Sequence, residues 1–541
     1  MLKGLAVRIL RFRNYFACVF TVAVFSFPLT GKSEDDGVQD IAKKIDTILE
    51  QRWKKEEVVP AQMSSDAEFL RRASLDIAGR IPLVSETRQF LKDDSPDKRR
   101  KAVERLLASP TYVTNFANVW TKALIPEATA DPQLAFLLPS FDAWVRKQLA
   151  DDVRYDEMVH EILTMPLSQQ QITESLQRQG DPTPLAFYQA KQVKAENLAS
   201  AASRMFLGVR IDCAQCHDHP MDKWTQDDFW GFAAFFAGVQ PRGDAANAFN
   251  LQLDVDESRR SLPIPDTDKV VEASYLGGGV PIWSDGLGSR EALAAWVTAP
   301  RNPYFSKMAV NRVWGHLFGS GLVEPVDDFS EENPPLFPEL LELLANQLVD
   351  NQFDVKSIIR SITATKAYQL TSRMSHESQD QPEMFSRMQP KGLTPEQLFD
   401  SVASATGFYQ PFNLQNRAFV MQNPDARTLF LEQFNNQEES VIERETTILQ
   451  ALSMMNGSFI ADATDPAQSR TLAAVVDFPL MSTSDRVETL FLAALCRKPT
   501  KAESEGLTKY VDSGGPKKDS KQAIADVFWA LLNSSEFLFN H

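Results

Sequence analysis

The sequence predicts a mainly α protein: two helical domains joined by a short irregular, β-containing segment. Three observations predict it. Apolar residues recur at helical spacing through residues 40–240 and again through residues 286–541. Between them, residues 241–285 turn rich in Gly, Pro and Asp, with short alternating pieces. The chain has 541 residues, more than the roughly 250–300 that one hydrophobic core fills.

The first element has the layout of an export signal. Lys3, Arg8, Arg11 and Arg13 precede an apolar run from Tyr15 to Leu29, and polarity returns at Gly31, Lys32 and Ser33. The run is short for a spanning helix, which needs about 20 apolar residues. Residues 1–31 are expected to be a signal peptide, or an uncleaved anchor, because the residues around Gly31 make a poor cleavage site. Such an anchor is the one membrane attachment the sequence predicts. The expected location is therefore the periplasm, the cell envelope or the exterior.

Loss of residues 1–31 removes four basic and no acidic side chains, so the formal charge of −16 becomes −20. An acidic surface of this size repels nucleic acid and anionic lipid. Composition is otherwise that of a globular protein, with 43% hydrophobic and 24% charged residues.

In the first domain, Phe69, Leu70, Ala73 and Ile77 predict a helix stopped by Gly79 and Pro82. Val103, Leu106 and Leu107 form the stripe of a short helix between Pro96 and Pro110. A one-sided stripe of Leu198, Ala202, Met205, Phe206 and Val209 predicts a helix over 197–209. Thr225 and Asp228 then mark a helix start. Phe229, Trp230, Phe232, Phe235 and Phe236 load that helix with aromatics, as a core helix or as the wall of a flat cofactor's slot.

In the middle segment, the acids of "DVDES" and "DTD" complete no calcium loop and read as solvated. The second domain opens at Asn302 as a helix cap, with Pro303 in the first turn and Gly319 at the end. Arg312 and His316, four apart, share one face of this helix, and Glu324, Asp327 and Asp328 follow as candidate partners for Arg312. They are expected to form a structural polar cluster, with proton transfer through His316 as the alternative. Thr394 with Gln397 and Thr500 with Glu503 mark two more helix starts. Cys496 follows an apolar helical pattern and reads as core.

The chemistry concentrates in "IDCAQCHDHPMDKW", residues 211–224, which hold two of the four cysteines and two of the six histidines. Cys213-x-x-Cys216-His217 is the pattern of covalent haem attachment: two thiols for the vinyl groups and an imidazole for the iron. Met221 and His219 stand too close to His217 to reach the opposite face of the iron. Met158, His160, Met165, Met308 and His316 are the distant candidates for a second axial ligand. A metal site would take Cys213, Cys216 and His219 with His217, Asp218 or Asp222, which suits zinc or copper. A Cys213–Cys216 disulfide is the third alternative.

Five phrases carry a resemblance across residues 40–540: "SLDIAGRIP" with "LLASP", "FLGVRIDCAQCHDHPMDKWTQDDFWGFAAFFAGV", "NPYFSKMAVNRVWGHLFGSGLVEPVDDF", "NPPLFPELLELLA" and "LTPEQLFDSVASATG". They resemble exported planctomycete proteins that join a cytochrome-c-like domain of unknown function to a C-terminal domain of unknown function. The resemblance implies that the family motif falls on Cys213, Cys216, His217, Asp218, His219 and Pro220.

Two functions of different class follow. One is an exported electron-transfer protein carrying haem c at Cys213, Cys216 and His217, with an unidentified redox partner. The other is a non-redox scaffold for envelope or polysaccharide partners, in which the knuckle is a structural clip. A hydrolase using Asp218, Asp327 or Asp328 is a weaker third, because no carboxylate pair is singled out.

Overall fold

The computed structural model describes residues 34–129, 134, 137–167, 182–241, 253–408, 426–434, 454–455 and 457–541. The expected signal segment, residues 1–31, lies outside them. The chain is mainly helical, with two domains linked by a region of small sheets.

Up to the motif, the helices are α1 (Glu34–Lys55), α2 (Asp66–Ala78), α3 (Val84–Lys92), α4 (Lys98–Leu107), α5 (Pro110–Leu124), α6 (Leu138–Ala150), α7 (Tyr155–Thr164), α8 (Leu185–Ala190) and α9 (Ala195–Ala202). After it come α10 (Gln226–Ala233), α11 (Ser289–Val297), α12 (Phe305–Phe318), α13 (Pro338–Asp350), α14 (Val355–Thr363) and α15 (Lys366–Gln369). The remainder are α16 (Pro395–Thr406), α17 (Ala426–Phe434), α18 (Ser458–Ala463), α19 (Arg470–Asp477), α20 (Thr483–Ala494), α21 (Lys501–Asp512), α22 (Ser520–Leu532) and α23 (Ser535–Leu538).

Local chemistry explains most boundaries. Ser65 caps α2 by accepting from Glu68 N, and Gly79 ends it in the left-handed region at φ 69°. Pro110 ends one helix and also opens the next, as the first residue of α5. The expected helix over 197–209 is in fact α9 followed by a π-helical turn, Ser203–Leu207, closed by Gly208 at φ 69°. Asn302 accepts from Tyr304 N and Phe305 N at 2.9 and 3.1 Å, so it orders the start of α12, whose first residue is Phe305. Thr394–Gln397 and Thr500–Glu503 are reciprocal capping boxes.

The linking region holds two hairpin pairs. β1 (Val239–Pro241) pairs antiparallel with β2 (Leu253–Val255), and β3 (Ser261–Pro263) with β4 (Val270–Glu272). A third pair joins β5 (Lys391–Gly392) to β6 (Phe539–Asn540).

Apolar packing forms two cores. The larger runs from Ile45 to Met388 and takes in both the first domain and α11–α15. The smaller gathers α16 and the helices after it, together with Leu75 and Ile81 from the first domain. Cys496 lies fully buried in this second core.

Charged residues pin α2 between the cores. Arg71 and Arg72 are fully buried on it. Arg71 donates to the carbonyl oxygens of Ala494 at 3.2 Å, Glu536 at 3.1 Å and Phe537 at 2.8 Å. Asp76 is the centre of a second hub. Its Oδ1 accepts from Lys391 Nζ at 2.6 Å and Asn540 Nδ2 at 2.7 Å, and its Oδ2 from Tyr368 at 2.8 Å. Lys391 Nζ also donates to His316 O at 3.1 Å and Leu317 O at 2.7 Å, which fills its three donor positions.

Candidate functional site

The cysteine–histidine knuckle sits between the π-helical turn and α10. Val209 and Ile211 are fully buried and anchor its entry. Asp212–Gln215 form one 3₁₀ turn, with Ala214 facing the core and Cys213 facing solvent. Cys216 and His217 are exposed and His219 is partly exposed. Both cysteines are free thiols.

α10 buttresses this turn. Gln226 Nε2 donates to Cys216 O at 3.1 Å, and Trp230 Nε1 donates to Gln215 O at 3.0 Å. Asp218 Oδ1 accepts from Gln226 N at 2.9 Å, so an acid of the motif helps to cap α10 beside the Thr225–Asp228 box. His219 N donates to Trp224 O at 2.8 Å and closes the loop. Trp224 is buried beneath it, with Lys223 Nζ 5.0 Å from its ring centroid.

The two histidines differ in which nitrogen is free. His217 Nδ1 lies 2.8 Å from Asp218 O, a carbonyl that can only accept. In neutral His217 the proton therefore sits on Nδ1, and Nε2 keeps its lone pair for a ligand. His219 Nδ1 accepts from Met221 N at 3.2 Å. Its neutral form carries the proton on Nε2, which is then a donor. The backbone thus prepares His217, not His219, as a ligand.

Donor chemistry at Cys213, Cys216 and His217 fits covalent haem. The two thiols share one exposed turn, and the neighbouring imidazole presents an unprotonated Nε2. The aromatic helix does not extend the fit: Phe229, Phe232, Phe235 and Phe236 are fully buried and belong to the large core. Phe235 stacks on Tyr275 at 5.2 Å and Tyr275 on Trp296 at 4.8 Å, so these rings pack protein against protein. The candidate second ligands Met158, Met165 and Met308 are buried; Met221, too close to His217 to serve, is 61% exposed on the knuckle itself. Among the described residues, no three His, Cys, Asp or Glu side chains are grouped to hold a metal ion.

The expected Arg312 cluster is arranged differently. Asp327 pairs with Arg204 and Arg210, each at 2.6 Å on a separate oxygen, and not with Arg312. Burial pushes Asp327 up, but the hydrogen bonds from Arg210 and Arg204 outweigh it and hold the carboxyl below its ordinary range. Glu324 is held by its own loop, accepting from Gly321 N at 2.8 Å. His316 turns away from these acids. Its Nε2 lies 2.8 Å from Asp76 O, and burial lowers its basicity. His316 therefore belongs to the Asp76 hub, and no proton-transfer pair with Asp327 or Asp328 forms.

Sequence reasoning missed that hub. Its signal was present: Arg72 and Asp76, four apart, stand on the apolar stripe of α2. It also missed Arg204 and Arg210 as the partners of Asp327, because 117 residues or more separate them.

Fold and motif together define a class: mainly helical two-domain proteins with a Cys-x-x-Cys-His knuckle late in the first domain. Residues 44–241 match the family PSCyt2, "Protein of unknown function (DUF1549)", and residues 289–427 and 412–511 match PSD1, "Protein of unknown function (DUF1553)". The chain belongs to the planctomycete-type family that joins these two domains. A comparison with curated proteins and one with solved structures each returned no match. No helix among the described residues is long and apolar enough to cross a membrane.

Proposed function

We propose that this chain is an exported c-type-haem protein that passes electrons to a redox partner. The observation that carries the reading is the 2.8 Å contact of His217 Nδ1 with Asp218 O, which engages Nδ1 and leaves Nε2 as a ligand. In this reading Cys213 and Cys216 would hold the haem as thioethers and His217 would take the iron. Haem bound there would supply one-electron chemistry. The chain's own part is to fix the turn, which Gln226 and Trp230 do by gripping the carbonyls of Cys216 and Gln215. Exposure of the motif at the surface suits transfer to a docking partner.

Expression in an exporting host with a haem-attachment system tests this. The expected result is a covalently bound haem with a pyridine haemochrome spectrum, lost in Cys213→Ser and Cys216→Ser. A mature protein whose mass and visible spectrum lack haem overturns it.

One observation favours the competing reading, a non-redox envelope scaffold clipped by the same knuckle. The aromatic helix behind the motif is spent on the core. Under that reading, purified protein holds zinc or copper, or a Cys213–Cys216 disulfide, and loses stability when Cys213 is replaced.

A further inference from the structure

A cleft of about 770 Å³ opens where the two matched domains meet. The ends of α4 and α6 and the starts of α5, α7 and α14 line it, so helix dipoles of both signs border it. Of these helices, α14 belongs to the second matched domain and the other four to the first. Direct bonds join the two sides. Tyr155 N donates to Phe353 O at 3.2 Å, and Arg360 Nε donates to the two oxygens of Glu104 at 3.0 and 3.1 Å. Small ligands bind preferentially in clefts of roughly 300–1,000 Å³, domain junctions among them.

The lining is partly apolar. Trp120 stacks on Tyr155 at 5.0 Å, and Leu149 and Met158 add to the apolar surface. Its charges balance: Glu104, Asp152 and Asp354 stand with Arg154, Lys356 and Arg360. A ligand that is neutral overall keeps that balance.

Most of these groups are already engaged. Both oxygens of Glu104 are held by Arg360. Asp354 Oδ1 accepts from Lys356 N at 2.8 Å, and its Oδ2 lies 3.5 Å from Arg360 Nη1. Three side chains keep open positions. Among the described residues Lys356 Nζ donates to Asp152 Oδ1 alone, which leaves two of its three hydrogens. Asp152 keeps its other oxygen and is 69% exposed, against 17% for Lys356. Tyr112 is buried, with Lys356 Nζ 4.9 Å from its ring centroid. Its hydroxyl makes no hydrogen bond among the described residues and is not sealed in the core, so it opens on the cleft. Burial, with Asp354 and Asp152 nearby, pushes the ionisation of that hydroxyl up and keeps it a donor. The open donors are thus the more buried groups, and the open acceptor is the exposed one.

We infer that this cleft binds a small zwitterion with an apolar body, an amino acid or short peptide, its carboxylate at Lys356 and Tyr112 and its ammonium at Asp152. Both contacts are charge-assisted hydrogen bonds. The site uses no residue of the knuckle, so it stands or falls apart from the haem reading.

Leucine and leucyl-leucine are the probes, in calorimetric titration and thermal unfolding at pH 7 and constant ionic strength. At least one should bind at a single site and raise the unfolding midpoint saturably. A response to leucine alone points to an amino acid, and one to leucyl-leucine alone to a peptide. Y112F keeps the ring and removes a hydroxyl that no described residue binds, so it keeps the fold; it should weaken binding about threefold to tenfold. K356M should weaken it about tenfold or more. N-acetyl-leucine and N-acetyl-leucyl-leucine, which lack the ammonium, should bind the parent more weakly than their free counterparts, and D152N should shrink that difference. Cys213→Ser should bind as the parent does. Absence of a saturable response to both probes overturns the inference. So does binding unchanged in K356M or, where that variant does not fold, in Y112F, and so do acetylated probes that bind as tightly as the free ones.

Discussion

Two polar clusters in this molecule are built on opposite plans. The Asp76 hub is buried, and its two charged groups are fully engaged: Lys391, Tyr368 and Asn540 on the carboxylate, the carbonyls of His316 and Leu317 on the ammonium. The Cys213–His219 knuckle is exposed, and among the described residues it leaves two thiols and an imidazole nitrogen without partners on a turn that α10 buttresses. Polar groups that are satisfied inside a protein specify architecture. Reactive groups held rigid and left unused are free for chemistry. The contrast separates what this sequence needs in order to fold from what it carries in order to act.

The largest expected effect breaks the hub. Asp76→Ala leaves the Lys391 ammonium buried without its counter-charge, and burial alone already lowers the basicity of that lysine. Loss of about 3–5 kcal/mol in urea unfolding is expected. A loss below about 1 kcal/mol would mean that water reaches the hub and that the contrast with the knuckle is false. Arg71→Met comes next. It strips donors from the carbonyls of Ala494, Glu536 and Phe537. A cost of about 2–4 kcal/mol is expected, with hydrogen exchange rising first in the second core, residues 393–537.

A smaller effect follows from His316. Burial lowers its folded pKa, Asp76 pulls it back up, and Lys391 lowers it further. The unfolded imidazole then binds a proton more readily than the folded one. Stability is complete above about pH 6.5, the ordinary imidazole value, and falls as pH drops below it. The loss by pH 5 is expected to reach at most about 2 kcal/mol. His316→Gln, which can still donate to Asp76 O, should flatten that slope. An unchanged slope would assign the acid sensitivity to other groups.

Much of this was legible in the sequence, for a physical reason. Caps act within four residues, so Thr225–Asp228, Thr394–Gln397 and Thr500–Glu503 are readable directly. The π-helical turn was not, because its residues keep the apolar spacing of the helix before it. Aromatic periodicity over 229–236 could not tell a cofactor slot from a core; the buried rings show core. The partners of Asp327 and Asp76 come from far along the chain, and no local spacing encodes them. The same limit applies to where the cores divide: composition breaks at 241–285, whereas apolar packing divides near residue 390.

The smallest expected stability effect is also the most telling. Cys213 is exposed, free and unpartnered on its turn, so Cys213→Ser removes no packing and no described contact. In haem-free protein its unfolding midpoint should stay within the range of ordinary surface changes, about 0.5 kcal/mol. Under the haem reading the same substitution disrupts covalent attachment, so stability stays level while cofactor loading collapses. Under the scaffold reading the order reverses: a metal or disulfide clip removed at Cys213 costs about 2–4 kcal/mol with no spectrum to lose. One variant measured by thermal unfolding and by visible absorption therefore decides whether the knuckle belongs with the hub as architecture or stands apart from it as chemistry.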